Sequence, residues 1–176
     1  MSVCQRLSIV LLGSAIMVLT GCTPPPGVMK FNNMMARGNA KLAEKAKAFY
    51  NTIAPLSKAE PVPAAKARAA ADEVGRALAE LRQEFATTMP PTGSRNGPDL
   101  LARYREFLDT QQRIYDNVIL ASVRIIEDNA KFPEPFLKWN AIQPLLARAT
   151  QDEGPALDAV RRVHTEYCKA HNLEAK

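Results

Sequence analysis

The chain has 176 residues, with 23 Lys and Arg against 18 Asp and Glu, a formal net charge of +5, and a hydrophobic share of 47%. That length suits one domain, or one domain with an appendage, and the moderate charge excludes a wholly disordered chain. Aromatic residues make up only 6% and Ala is abundant, which favours helices over a β-sandwich or barrel.

The first element is not part of the fold. Leu7 to Thr20 is an apolar run of 14 residues behind a short segment carrying Arg6. As a helix it would span roughly 21 Å, short of a ~30 Å hydrocarbon core. Charge, apolar run and then small residues is the layout of a cleaved secretory signal. The run ends in Leu19-Thr20-Gly21-Cys22, which resembles the bacterial lipoprotein lipobox. The resemblance implies cleavage between Gly21 and Cys22, diacylglycerol thioether-linked to Cys22, palmitate-type acylation, and an anchor on the exported side of a bacterial membrane. Thr23 follows the lipidated position where Asp would retain the protein at the inner membrane, so the same resemblance favours the outer membrane. Residues 1–21 are then signal peptide. Cys4 leaves with it and Cys22 takes lipid, so Cys168 is left without an intrachain disulfide partner. It reads as a buried, inert thiol or as a link to another chain.

Residues 22–27 contain Thr23-Pro-Pro-Pro-Gly27, expected to be an extended polyproline spacer of roughly 15 Å. The domain proper is expected over 28–172, with 173–176 as a short tail. Within it, apolar residues recur at spacings of three and four. They fall at Val28, Phe31, Met35, Leu42, Ala46, Phe49 and Ile53, then at Ala67, Ala71, Val74, Leu78, Leu81 and Phe85. Leu101, Tyr104, Leu108, Tyr115, Val118, Ser122 and Ile125 form a third series, and Trp139, Ile142, Leu146, Ala149, Ala156, Val160, Val163 and Tyr167 a fourth. Each series is one apolar stripe on a helix, and no stretch alternates with the period of a strand. Ala54-Pro55 ends the first helix, Pro63 opens the second, and Pro98 with Asp99 opens the third. Pro144 predicts a kink and Gly154-Pro155 a break or strong bend in the last helix. The pattern predicts an all-α fold, an up-down-up-down antiparallel four-helix bundle with a kinked or broken last helix. Exposed charges four apart, Asp72-Arg76-Glu80, Arg105-Asp109-Arg113 and Asp158-Arg162-Glu166, mark its solvated faces.

Few residues suit chemistry. His164, Cys168 and His171 occupy one face of the last helix, and imidazole with thiolate suits zinc or copper. One helix supplies three ligands poorly, and no second cluster of ligand spacing exists. A haem alternative rests on a resemblance to periplasmic b-type cytochromes, four-helix bundles holding haem between an early Met and a late His. Here those types are Met29, Met34 and Met35 with His164 and His171. Cys168-Lys-Ala-His171 lacks the second cysteine of a c-type attachment motif, and Met34 and Met35 suit the core equally. Glu-x-x-His pairs for a di-iron site are missing, as are the hydrolase and phosphate-loop motifs. The expected chain is therefore not an enzyme and carries no cofactor; haem or a transition metal is the alternative.

Charge is uneven. Residues 28–54 hold Lys30, Arg37, Lys41, Lys45 and Lys47 against Glu44 alone, so the first helix carries nearly all the net charge. This basic face follows the anchor and either leans on anionic headgroups or is simply solvated. Basic residues without interleaved aromatic platforms do not suit nucleic acid. Phe132, Phe136 and Trp139 form an apolar knot that either caps the core or offers a partner patch. The expected role is a non-catalytic binding, adaptor or structural module with an envelope protein as partner.

Overall fold

The computed structural model describes residues 26–173. The expected signal segment, the expected cleavage and lipidation site at Gly21–Cys22, Thr23 to Pro25 and the tail residues 174–176 lie outside them. All the regular secondary structure of the described residues is helical, with no strand among them.

Helix α1 runs Pro26–Ile53. It therefore takes in Pro26 and Gly27, two residues of the expected extended spacer. Proline is tolerated in a first turn, where its missing N–H has no helical acceptor. Before Pro55 the chain tightens into a 3₁₀ turn, Ala54–Lys58, closed by Ala59 at φ 59°. Helix α2, Ala64–Thr87, opens directly after Pro63. The connector 88–96 turns through Gly93 at φ 71°, a left-handed value that favours glycine. Helix α3, Gly97–Ile114, carries Pro98 and Asp99 in its first turn. It passes without a break into a π-helical segment, Tyr115–Ile119, and then α4, Leu120–Glu127. In that segment the Leu120 N–H donates to the Tyr115 carbonyl, five residues back instead of four.

Helix α5 runs Pro135–Ala170 with Pro144 and Pro155 both inside it. Of the break or strong bend expected at Gly154-Pro155, the break is not present. Each proline deletes only one helical hydrogen bond, to the carbonyl four residues earlier, at Asn140 or Gln151. Asn140, Pro144, Gln151 and Pro155 are all exposed, so water reaches the widowed carbonyls and the helix continues.

Most of the predicted stripe residues form the core. Beyond the π segment, however, Val123 and Ile126 are buried where Ile125 was expected, and Trp139, Leu146, Ala149 and Ala156 are only half-buried. Ile53, Leu78, Phe85, Leu100, Tyr104, Leu108, Val123, Ile126, Ile142 and Tyr167 are fully buried. Phe85 and Tyr104 stack with centroids 4.5 Å apart. Helix α1 packs along α2, α2 along α3 and α4, and α3 along α5. Gly38 permits the first of these, because a Cβ there would strike Leu81 Cδ1 of α2. By contrast, α1 and α5 nowhere bring Cα atoms within 8 Å. They meet through long side chains near one end: the Phe31 and Tyr167 rings lie 5.9 Å apart, and the Tyr167 hydroxyl donates to the Val28 carbonyl at 3.4 Å.

The three charged series are exposed, but their bonds mostly do not follow the i, i+4 pattern. Glu80 pairs with Lys41 of α1, Asp109 with Arg82 of α2, Arg76 with Glu73 and Asp158 with Arg161. Arg105 donates to the Phe85, Ala86 and Thr88 carbonyls at the end of α2. Two of these pairs join neighbouring helices, and at such exposure water and salt leave them little net effect on stability.

Candidate functional site

Where α1 and α5 stand apart, the seam opens into a groove of about 150 Å³. Short side chains create it: Ala36, Ala40, Ala43 and Ala46 along α1 face Ala149 on α5, and none is long enough to close the gap. Val74 and Leu78 of α2 and Phe107 of α3 form the back. Tyr115, Val118 and Ile119 of the π segment form part of the floor. Spaced at i, i+3 and i+4, the three side chains share one face of the segment and line the same space. Gly75 gives Tyr115 its place, since a Cβ at 75 would collide with the phenol. Partial burial, with Asp72 nearby, raises the Tyr115 pKa and keeps the phenol neutral.

Polar groups are few in the groove. Asn39 Oδ1 accepts the Tyr104 hydroxyl at 2.6 Å, and burial pushes the Tyr104 pKa well above its ordinary value. Glu153 on α5 is the one charged residue lining the groove. Its Oε1 accepts from Gln111 Nε2 at 2.8 Å, and it has no cationic partner among the described residues. Apolar walls with a few convergent polar groups are the usual make-up of a small-molecule site. The sequence signal for this groove was the alanine spacing at 36, 40, 43 and 46, which reads equally well as ordinary helix filling.

The expected metal trio is divided. His164 and Cys168 are neighbours, with Sγ 3.5 Å from Nε2. His164 Nε2 also lies 2.7 Å from Asn32 Oδ1; with the ring neutral, Nε2–H donates and Nδ1 keeps the lone pair. Burial lowers the His164 pKa and raises that of Cys168, so both stay uncharged near neutrality. His171 is two turns on, roughly 10 Å along the axis. It donates to the Arg95 carbonyl at 3.2 Å and lies against the Tyr167 ring at 4.7 Å. No three His, Cys, Asp or Glu side chains converge among the described residues.

Of the early methionines, Met35 is in the core, and Met34 packs on its edge with Sδ 3.9 Å from the Thr88 hydroxyl. Met29 is half-buried. Met35 and His164 line a common niche of about 10 Å³, room for one water and not for a porphyrin.

The basic residues of α1 are not equivalent. Lys41 pairs with Glu80, and Lys45 with Glu44 and Glu73 of α2, so two of the five are neutralised locally. Lys30, Arg37 and Lys47 are exposed. Helical spacing puts Lys30, Arg37, Lys41 and Lys45 on one face and Lys47 about 100° from it. No helix of the described residues is long and apolar enough to cross a membrane.

The apolar knot splits. Trp139 packs on the core, Phe132 is half-buried, and Phe136 and Leu137 are 56% and 42% exposed. Between them Lys138 is buried, its ammonium donating to the Ile126 carbonyl at 2.7 Å and to Asn129 Oδ1 at 2.6 Å. No protein-family model, curated protein or solved structure matches the chain.

Proposed function

We propose that this chain is a bacterial lipoprotein, anchored by diacylglycerol on Cys22 at the outer membrane, and that its domain is a non-catalytic module binding a small, largely apolar ligand between α1 and α5. One coincidence carries the binding half of this reading: the only π-helical segment among the described residues forms part of the groove floor. Such segments recur at functional sites because they trade regular hydrogen bonding for the placement of particular side chains. The lipobox carries the anchoring half.

The domain is read as an up-down-up-down antiparallel four-helix bundle. Supporting this, Arg105 early in α3 bonds to the end of α2, Arg68 early in α2 pairs with Glu127 at the end of α4, and Val28 at the start of α1 meets Tyr167 at the end of α5. The anchor then lies at the end holding Val28, with Lys30 and Arg37 close to the headgroups. The exposed Phe136 and Leu137, at the far end of α5, supply a surface for an envelope protein partner.

Two experiments test the two halves. Cys22→Ala should leave the precursor uncleaved and free of labelled palmitate; processing at Gly21–Cys22 with membrane attachment retained would defeat the lipoprotein reading. For the groove, a neutral apolar probe, 2-phenylethanol, should shift the methyl resonances of Val118, Leu146 and Leu157 in the full chain held in phosphatidylcholine nanodiscs. Methyl resonances that stay in place would end the binding reading.

A further inference from the structure

The groove holds one feature that a purely apolar ligand does not use. Glu153 places a carboxylate at a lining whose other members are neutral, and no Lys, Arg or His approaches it among the described residues. Glu44, Glu73, Glu80, Glu106, Asp109, Glu127, Asp152 and Asp158 have basic partners. Other carboxylates without one, such as Asp99, Asp116 and Glu166, are exposed to water, whereas Glu153 is half-buried in the groove lining. On α5 itself Arg148 takes Asp152 and Arg161 takes Asp158, on either side of Glu153, which neither of them contacts. Gln111 donates to one carboxylate oxygen, Oε1, which orients the group and leaves its charge uncompensated. A carboxylate beside desolvated apolar walls gains most from a cation that brings its own apolar body.

The aromatic content points the same way. Phe49, Tyr50, Phe107 and Tyr115 line this groove, and ring faces attract ammonium groups more strongly once water is removed. Volume limits the rest of the ligand. About 150 Å³ is the scale of a cavity that accommodates a single benzene ring, so the enclosed part of the groove holds a body of about one ring.

We infer that the natural occupant is a small organic cation, an amine or quaternary ammonium on an apolar body of about one ring, with its charge at Glu153 and its body over the π segment. This inference rests on the groove being the binding site and adds the chemical class of ligand. Gln111 has a positioning role: it holds the carboxylate at the groove by the bond to Oε1.

The test uses three probes of one shape in the full chain in phosphatidylcholine nanodiscs: 2-phenylethylamine, 2-phenylethanol and 3-phenylpropionate, followed through the Val118, Leu146 and Leu157 methyls. The amine should bind about tenfold more tightly than the alcohol, the difference expected of a hydrogen bond to a charged group, and the acid most weakly. Glu153→Gln should remove the preference, so that amine and alcohol bind this variant with equal affinity. Ala149→Phe should reduce binding of all three by filling the seam. If alcohol and amine bind equally and Glu153→Gln changes nothing, the cation inference fails while the groove reading stands. If no probe moves these methyls, both fail.

Discussion

The Tyr104 hydroxyl donates to Asn39 Oδ1 across 2.6 Å, joining α3 to α1, two helices that otherwise have no close backbone approach. Tyr104 is fully buried, and Asn39 lines both the groove and the small niche beside His164. This bond ties α1 to α3 beside the open seam between α1 and α5. Tyr104→Phe leaves the Asn39 carbonyl without its donor and should cost about 1–2 kcal/mol, read as a lower urea midpoint at unchanged m-value. Combining it with Asn39→Ala should show coupling, since the second change removes an already broken bond. Additive losses would mean that the two groups do not interact in solution.

Lys138 supports the opposite end of the molecule. Its ammonium caps the Ile126 carbonyl near the C-terminus of α4 and fixes Asn129, where a positive charge also meets the negative end of the helix. Lys138→Met keeps most of the buried stem and removes only the charge and its donors. We expect a loss of about 2 kcal/mol in stability, measured by denaturant unfolding. A variant as stable as the parent would show that water replaces the ammonium at no cost.

The helices and most of the core were legible because burial here follows the simplest rule. Every residue of the stripe Ala67, Ala71, Val74, Leu78, Leu81 and Phe85 is buried, and prolines at 55, 63 and 98 mark the ends they were expected to mark. Three features were not legible, each for a local reason. A proline inside a helix reads as a stop, yet exposure of the affected carbonyls let α5 continue through Pro144 and Pro155. Lys138 sits among aromatics as an apparent surface residue, and its acceptors belong to a helix that the last stripe does not specify. The π segment leaves no mark in composition, since one extra residue in a turn shifts hydrogen bonds without changing residue types. Of the site, the alanines that open the groove were visible as spacing, whereas its floor depended on that unmarked segment.

His164 gives the fold a pH dependence whose sign follows from its burial. Its folded pKa lies below the ordinary 6.5, with burial as the cause. Above about pH 7 the ring is neutral in both folded and unfolded chains and contributes nothing to the slope. As pH falls through the unfolded value, the unfolded chain takes up the proton first, so stability falls until the folded ring also titrates. Asn32 and Cys168 face the ring, and neither compensates an imidazolium with negative charge while the thiol remains protonated. His164→Gln should flatten this part of the decline in Tm between about pH 7 and about pH 5. Equal slopes for the variant and the parent would assign the acid sensitivity to other groups.

The π segment provides the sharpest separation of fold from function. It contains one residue more than an α-helical path needs, and α3 and α4 on either side keep their apolar faces toward the core. Deleting the exposed Asn117 should let ordinary i to i+4 bonds close, keep both flanking registers and leave the helix content unchanged. The floor would then lose the arrangement that presents Tyr115, Val118 and Ile119 together. Circular dichroism of the deletion variant should match that of the parent and its Tm should rise, while binding of 2-phenylethanol weakens severalfold. Had the segment been only a scar of insertion, removing it would stabilise the helix and leave binding intact. A site maintained at the expense of regular hydrogen bonding should instead show stability and binding moving in opposite directions.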